Sequence, residues 1–362
     1  MTLGSTSLIE SRVRSLTNSQ YINVKDELKY EFEINSDNLE IITAIVGEIN
    51  LAFREKSSRK IHINEEIWIN NFPIQTRIKL GFENCVFHKR VTIKLTDYKE
   101  QISFVDCVFM EDLIAMNCKF NNLVNVRLCT FKGRISFHNS EFNNILDFSY
   151  SKFEEDQYFA FIKINSAVLF SNSIFKQAIK FDSIVTLPSA TISFDQAIFH
   201  KGIDISLANF TCNLQFWKIQ FENINLKEWT NSKAYYMENG IENVYNEEFN
   251  NTLYKRFRES FRIIKHTFEK QGNNLDKHYL TRLEMKAYSK ELWFKYPLLK
   301  KVPDKLILLL NYLSNNHGQN WIVGVLFTLG VTIISFIWII EPIDNGIEFN
   351  LSYKNITKTI NY

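Results

Sequence analysis

From residue 61 onward, apolar and polar positions alternate in short bursts rather than in long helical stripes. Ile61, Ile63, Ile67 and Ile69 stand at alternate positions, which predicts the first strands. From Phe82 the bursts become a repeat, F-x-x-[C/S/A]-x-F. Full copies run Phe82 to Phe87, Phe104 to Phe109, Phe137 to Phe142, Phe148 to Phe153, Phe170 to Phe175 and Phe194 to Phe199. Degenerate copies between them end in Tyr98, Phe120, Phe131, Ile164 and Phe210. The spacing alternates five and six, making eleven.

Every second copy is stricter. Phe87, Phe109, Phe131, Phe153 and Phe175 recur every 22 residues, and Phe199 and Phe221 continue the column after a two-residue insertion near Leu187-Pro188. The intervening column (Tyr98, Phe120, Phe142, Ile164, Phe210) is looser. A period of eleven also suits a helix of about 3.67 residues per turn. Two Phe five residues apart, however, lie roughly 140° apart on a helix. On a plain strand an odd spacing puts them on opposite faces. A chain that turns a corner between the two rings places both inside, so the pattern predicts a four-sided solenoid with 22 residues per coil.

Cys85/Phe87, Cys118/Phe120, Ser151/Phe153 and Ala208/Phe210 each pair a small residue with a Phe two places on. In this the chain resembles pentapeptide-repeat proteins over about 140 residues. The resemblance implies a mainly β fold, a right-handed quadrilateral parallel β-solenoid with the small and the large residue packed inside. The departure is one extra residue in every second side. At a rise of about 4.8 Å per coil the stack would be roughly 30 Å tall. Open ends would expose strand edges and rings, so both need caps; the helical stretch Leu39–Phe53 is expected to supply one.

Beyond the repeats the period changes. Phe257, Phe261, Ile264 and Phe268 form a helical stripe ringed by Lys255, Arg256, Arg258, Arg262 and Lys265. Gln271-Gly272-Asn273-Asn274 breaks this helix, and a second runs to Leu292. The words Phe261-Arg-Ile-Ile-Lys265 and Glu284-Met-Lys-Ala-Tyr288 resemble the helical hairpin of membrane-attached pentapeptide-repeat proteins. The basic face reads as a solvated surface or as a contact with acidic lipid. Trp321 to Ile340 is a run of twenty uncharged residues, about 30 Å as a helix, which fits a bilayer core. Leu306–Leu313 is apolar but short and suits the membrane interface. Lys295, Lys300, Lys301 and Lys305 precede the span, whereas only Lys354 and Lys358 follow it. By the positive-inside rule the solenoid faces the cytoplasm. The expected organisation is an N-terminal segment 1–60 with a capping helix, a solenoid 61–225, a hairpin and juxtamembrane region 226–315, a single span 321–340 and a short tail 341–362.

Composition changes this picture little. The chain carries 31 Phe but only 11 Gly and 5 Pro, and its net charge is +2. Residues 82–221 hold 14 Lys/Arg and 14 Asp/Glu. That balance argues against nucleic-acid binding, and also against the DNA-mimicking inhibition known in soluble pentapeptide-repeat proteins. Met1 to Arg12 lacks signal-peptide anatomy, and five Cys without a CxxC pair point to a reducing compartment.

Cys85, Cys107 and Cys129, 22 residues apart, should stack in one column. They read as small-residue packing, with a disulfide or a soft-metal ladder as alternatives. The seven His are scattered, with no partner that defines a base–nucleophile pair. No catalytic, metal or cofactor residues are nominated. The one residue set singled out is the structural ladder Phe87, Phe109, Phe131, Phe153, Phe175, Phe199 and Phe221.

The expected function is a non-enzymatic, membrane-anchored scaffold. It presents a rigid solenoid to an unidentified protein partner, needs no cofactor and allows a homo-oligomer. The alternative is an oligomeric pore related to family members that append a two-helix channel, suggested by Asp304-Lys-Leu-Ile-Leu-Leu-Leu and Gly324-Val-Leu-Phe-Thr-Leu329.

Overall fold

A computed structural model describes residues 11, 15, 20–26, 30–53, 59–70, 80–94, 97–222, 225–230, 247–295, 298–317 and 320–340. It forms two compact units, Met1–Lys295 and Tyr296–Tyr362. The expected tail 341–362 lies outside the described residues.

The first unit is built on a parallel β-solenoid of about seven turns, successive coils about 22 residues apart. Two long faces dominate. The ten-stranded face runs from Ile22–Asp26 and Glu31–Ile34 through Lys60–Ile63 and Cys85–Phe87 to Gln220–Phe221. The seven-stranded face runs from Leu80–Glu83 to Asn213–Gln215. The remaining two faces share strands, because Ile179–Thr186 and Ile203–Asn209 run straight past the corner that separates them in earlier coils. Register follows the period: Phe131 pairs with Phe109 and Phe153, and Val124 with Ile102 and Leu146. Each coil thus completes the backbone hydrogen bonding of the coil before it.

The corners explain the number eleven. Within a half-coil, buried positions follow one another at intervals of two, four, two and three residues, as at Cys107, Phe109, Leu113, Ala115 and Cys118. The corner after each ladder ring is therefore one residue longer than the next corner. The shorter corner holds a residue in left-handed conformation: φ is 58° at Asn84, 53° at Asp106, 56° at Asn117, 59° at Leu128, 58° at Asn139, 62° at Tyr150, 54° at Phe161 and 58° at Asn172. Asn and Asp adopt this conformation at little cost, while Leu, Tyr and Phe do so less readily. At one of the longer corners Gly133 lies so close to the backbone of Glu111 and Asp112 in the preceding coil that a Cβ has no room.

The insertion lies between Thr186 and Thr191. Ile164 pairs with Thr186 at a spacing of 22, but Ala167 pairs with Thr191 at 24. Leu187 and Pro188 fall in that gap.

Both ends of the stack are covered. At the start, the helix Leu39–Ala52 connects the parallel strands Glu31–Ile34 and Lys60–Ile63. It buries Leu39, Ile42, Ile45, Val46 and Ile49 and packs over Ile67–Asn70 and Leu80–Glu83, the terminal strands of their sheets. Asn38 caps it by accepting from the amides of Glu40 and Ile41. Two further strands, Ile22–Asp26 and Glu31–Ile34, extend the ten-stranded sheet into the region upstream of residue 61, and the outermost pair is antiparallel.

At the far end the short helix Leu226–Thr230 brings Trp229 over the last coil. Its ring lies 6.2 Å from Phe221, 5.6 Å from Phe257 and 5.8 Å from Phe261. Gly202, at φ 136°, makes room for it, since a Cβ there would come within 2.6 Å of the indole. The helix Glu247–Lys270 lies on strand Ile203–Asn209, and Asn274–Lys295 packs along it as the second arm of a hairpin.

The second unit contains the helices Leu298–Asn315 and Trp321–Ile340. Asn320 caps the latter through the amides of Ile322 and Val323. The segment Trp321–Trp338 is long and apolar enough to cross a membrane, and none of it is buried. Its hydroxyls are satisfied within the helix, Thr328 donating to the Gly324 carbonyl and Thr332 to that of Thr328.

Candidate functional site

The seven ladder positions lie on the ten-stranded face, one per coil. Ring centroids are 4.9 Å apart for Phe87 and Phe109, 5.0 Å for Phe109 and Phe131, and 5.2 Å for Phe131 and Phe153. The column continues at 4.6 Å to Phe175, 5.1 Å to Phe199 and 5.5 Å to Phe221. A second stack fills the seven-stranded face: Phe82 on Phe104 at 5.2 Å, then Phe148, Phe170, Phe194 and Phe216 at 5.1–5.2 Å. Val126 stands where a ring would join the two runs. The first and second Phe of each repeat therefore belong to neighbouring faces; in the first four full copies they meet edge to face, as Phe82 does with Phe87 at 75°, and in the last two they are tilted at 60° and 52°. Such pairs contribute about 0.5–1.5 kcal/mol beyond simple burial.

The looser column is loose for a visible reason. Phe120 stacks on Phe142 at 5.0 Å, but Ile164 follows and then Thr186. Thr186 bonds to Thr211 at the insertion instead of filling the core with a ring. At the top of this column Tyr98 bridges to Phe120, and burial, with Glu100 nearby, pushes its phenol up to about 12.

Beside the strict ladder runs the column Cys85, Cys107, Cys129, Ser151, Ser173 and Ala197, all buried. The serines tie coil to coil: Ser151 Oγ donates to the Val126 carbonyl at 2.9 Å and accepts from the Cys129 amide at 3.1 Å. Cys129 Sγ takes the same place, 3.3 Å from the Phe104 carbonyl. The five cysteines are free, and burial pushes the thiols of Cys85 and Cys129 up. The column is a packing element that Ser and Cys fill alike.

Three polar groupings escaped the sequence reading. On the outer side of the ten-stranded face His62 and His88 stack, with Nδ1 of the first 2.9 Å from Nε2 of the second. His62 pairs in register with Val86, 24 residues on, and His88 stands two places further, so the pair falls outside the 22-residue period. Burial, the charge of Lys25 and, for His62, the neighbouring His88 lower both imidazoles, against the opposing pull of Glu31 on His62 and of Glu33 on both.

The second grouping is an amide ladder. Asn143 donates to Asn121 at 2.7 Å and Asn165 to Asn143 at 2.6 Å, each one coil on.

The third lies under the hairpin. Arg256 meets the fully buried Asp204 at 2.8 Å, and Ser260 Oγ accepts from the Ile205 amide at 3.0 Å. Arg258 pairs with Glu291 at 2.9 Å and Lys265 with Glu284 at 2.6 Å. Much of the basic ring on this helix thus faces acids of the same unit, and Arg262 pairs with Glu259 on its own helix.

A groove of about 660 Å³ opens between the first cap helix and the early coils, lined in part by Asn50, Arg59, Glu83 and Asp106. Arg59 donates to Asn50 at 2.8 Å and to Glu83 at 2.9 Å, which pins the cap to the coil. Among the described residues there is no group of three or more His, Cys, Asp or Glu that could hold a metal ion.

No protein family, characterised protein or solved structure matches the chain. The solenoid and the apolar helix therefore rest on the chain's own geometry.

Proposed function

We propose that this chain is a membrane-anchored scaffold of the pentapeptide-repeat type, presenting the outer faces of its solenoid to a protein partner on the cytoplasmic side. The observation that carries the reading is the combination, in one chain, of a ring-filled solenoid capped at both ends and a twenty-residue uncharged helix with no burial across its apolar window. A continuous stack of interlocked rings gives a rigid, extended surface rather than a cleft, which suits binding more than turnover. The excess of Lys ahead of Trp321 supports the cytoplasmic placement.

Proximity labelling in intact cells tests it. The full chain should enrich a defined set of neighbours in the membrane fraction. Charge reversal of exposed residues such as Lys132 and Lys176 should change that set without lowering the melting temperature. An unchanged neighbour set in such surface variants of every face, or a chain that alkaline carbonate strips from membranes, would sink the reading.

A further inference from the structure

We propose that the helix Leu298–Asn315 lies in the plane of an anionic membrane with a leucine stripe inserted among the acyl chains. The inference rests on the reading of Trp321–Ile340 as a span, and it assigns a lipid-binding role to the helix that precedes it.

Val302, Leu306, Leu309, Leu310 and Leu313 fall within an arc of about 100° on this helix. Each is open to solvent, with exposures of 54%, 51%, 51%, 45% and 46%. Five large aliphatic side chains half exposed along one arc mark a surface that something apolar covers. The opposite arc holds the positions of Lys300, Lys301, Asp304, Asn311 and Asn315, with Leu308 the one apolar position among them. This division, with an apolar arc facing a lysine-bearing one, is that of helices which settle at the headgroup boundary.

The connection to the next helix names the occupant. The stretch from Asn316 to Asn320 joins the two helices, and Asn316 and His317 are left-handed at φ 51° and 58°, which turns the chain. Leu313 is eight positions from Trp321, the first residue of the candidate span. Wherever that span enters the bilayer, the stripe is held at the same boundary. A helix of 18 residues, about 27 Å long, laid along that surface also sets its lysine positions against lipid phosphates. Tyr312 and Trp321, 56% and 77% exposed, flank the turn as residues with an apolar ring and a polar tip do at a membrane interface.

The test uses the full chain with Cys212→Ser, reconstituted into vesicles of phosphatidylcholine alone or mixed with phosphatidylglycerol. Single nitroxide labels replace Leu309, Leu313, Asn311 or Val331. In the anionic vesicles the labels at 309 and 313 should be accessible to oxygen and shielded from a water-soluble relaxant. The label at 311 should show the reverse, and that at 331 should lie deeper than all. Shielding at 309 and 313 should weaken several-fold in neutral vesicles or in the Lys300→Gln/Lys301→Gln variant. Labels at 309 and 313 as wet as 311, while 331 stays immersed, overturn the proposal and leave the span intact. A wet label at 331 overturns the span itself. Spin–spin broadening at 309 without lipid contact assigns the stripe to a second copy and overturns it too, and equal shielding in both vesicle types overturns the anionic requirement.

Discussion

The two ends of the solenoid face the same problem and are closed by different chemistry. The first cap is apolar: Ile42, Ile45, Val46 and Ile49 of one helix lie on the opening strands, and its ion pair, Arg59 with Glu83, reaches water through a half-exposed carboxylate. The last cap is a wedge of rings around Trp229 plus a fully buried carboxylate, Asp204, held by Arg256 and Ser206. The first cap is pinned by a polar contact that water reaches; the last is held by a buried carboxylate bonded to Arg256, Ser206 and Ser260, which tolerates less displacement. The difference teaches that both ends are pinned to their coils, the entrance by a polar contact open to water and the exit by one sealed from it.

Breaking the exit should cost most. Asp204→Ala leaves Arg256 buried without its carboxylate and is expected to remove about 3–5 kcal/mol, read as a lowered urea midpoint. The double change Asp204→Leu/Arg256→Leu should recover most of that loss, and failure to recover would mean that the pair does more than balance charge. At the entrance, Glu83→Gln is expected to cost less, about 1 kcal/mol, because the carboxylate is 53% exposed and an amide oxygen in its place still accepts from the buried Arg59.

Trp229→Ala should lower stability by about 3–5 kcal/mol and Ile45→Ala by about 2–5 kcal/mol. Dye binding to newly exposed rings should accompany only the tryptophan change, because Phe221 and Phe261 lie directly beneath it.

Acid should distinguish the ends next. His62 and His88 are lowered from 6.5 in the fold, so the unfolded chain takes up their protons first. Their contribution is complete above about pH 6.5 and is lost as pH falls toward the folded values. Amide exchange at 60–63 and 85–88 should therefore quicken between about pH 7 and pH 5.5, once corrected for intrinsic rates, while 203–209 stays protected. A His62→Gln/His88→Gln variant should flatten that dependence.

The smallest effect is a gain. Leu128 holds a left-handed corner with its side chain 49% exposed, where other coils use Asn. Leu128→Asn should stabilise by up to about 1 kcal/mol. A loss instead would show that the exposed leucine packs against something that Asn cannot replace.

How far the sequence carries this picture depends on the reach of each signal. The coil length and the two Phe columns are periodic, so residues far apart in space announce one another along the chain. The insertion was legible for the same reason, as a break in phase between Phe175 and Phe199. Most of what lay hidden has no period, the amide ladder Asn121, Asn143 and Asn165 being the exception. Asp204 and Arg256 stand 52 residues apart with nothing local to join them. Ile22–Asp26 joins the sheet antiparallel and carries no repeat. The corner residues gave a partial signal, Asn at 84, 117, 139 and 172, which Leu128, Tyr150 and Phe161 interrupted.

The hydrogen bonds between coils point along the stack, and this gives the post a direction of mechanical weakness. Tension applied along its axis loads the coil interfaces in series, so the weakest one parts first and sheds its coil alone. Each coil released would pay out 22 residues of chain, roughly 70 Å after subtracting the folded rise. A pull across the axis would instead share the load among parallel strands. A protein of this design yields under tension in steps of one coil and resists shear as a block.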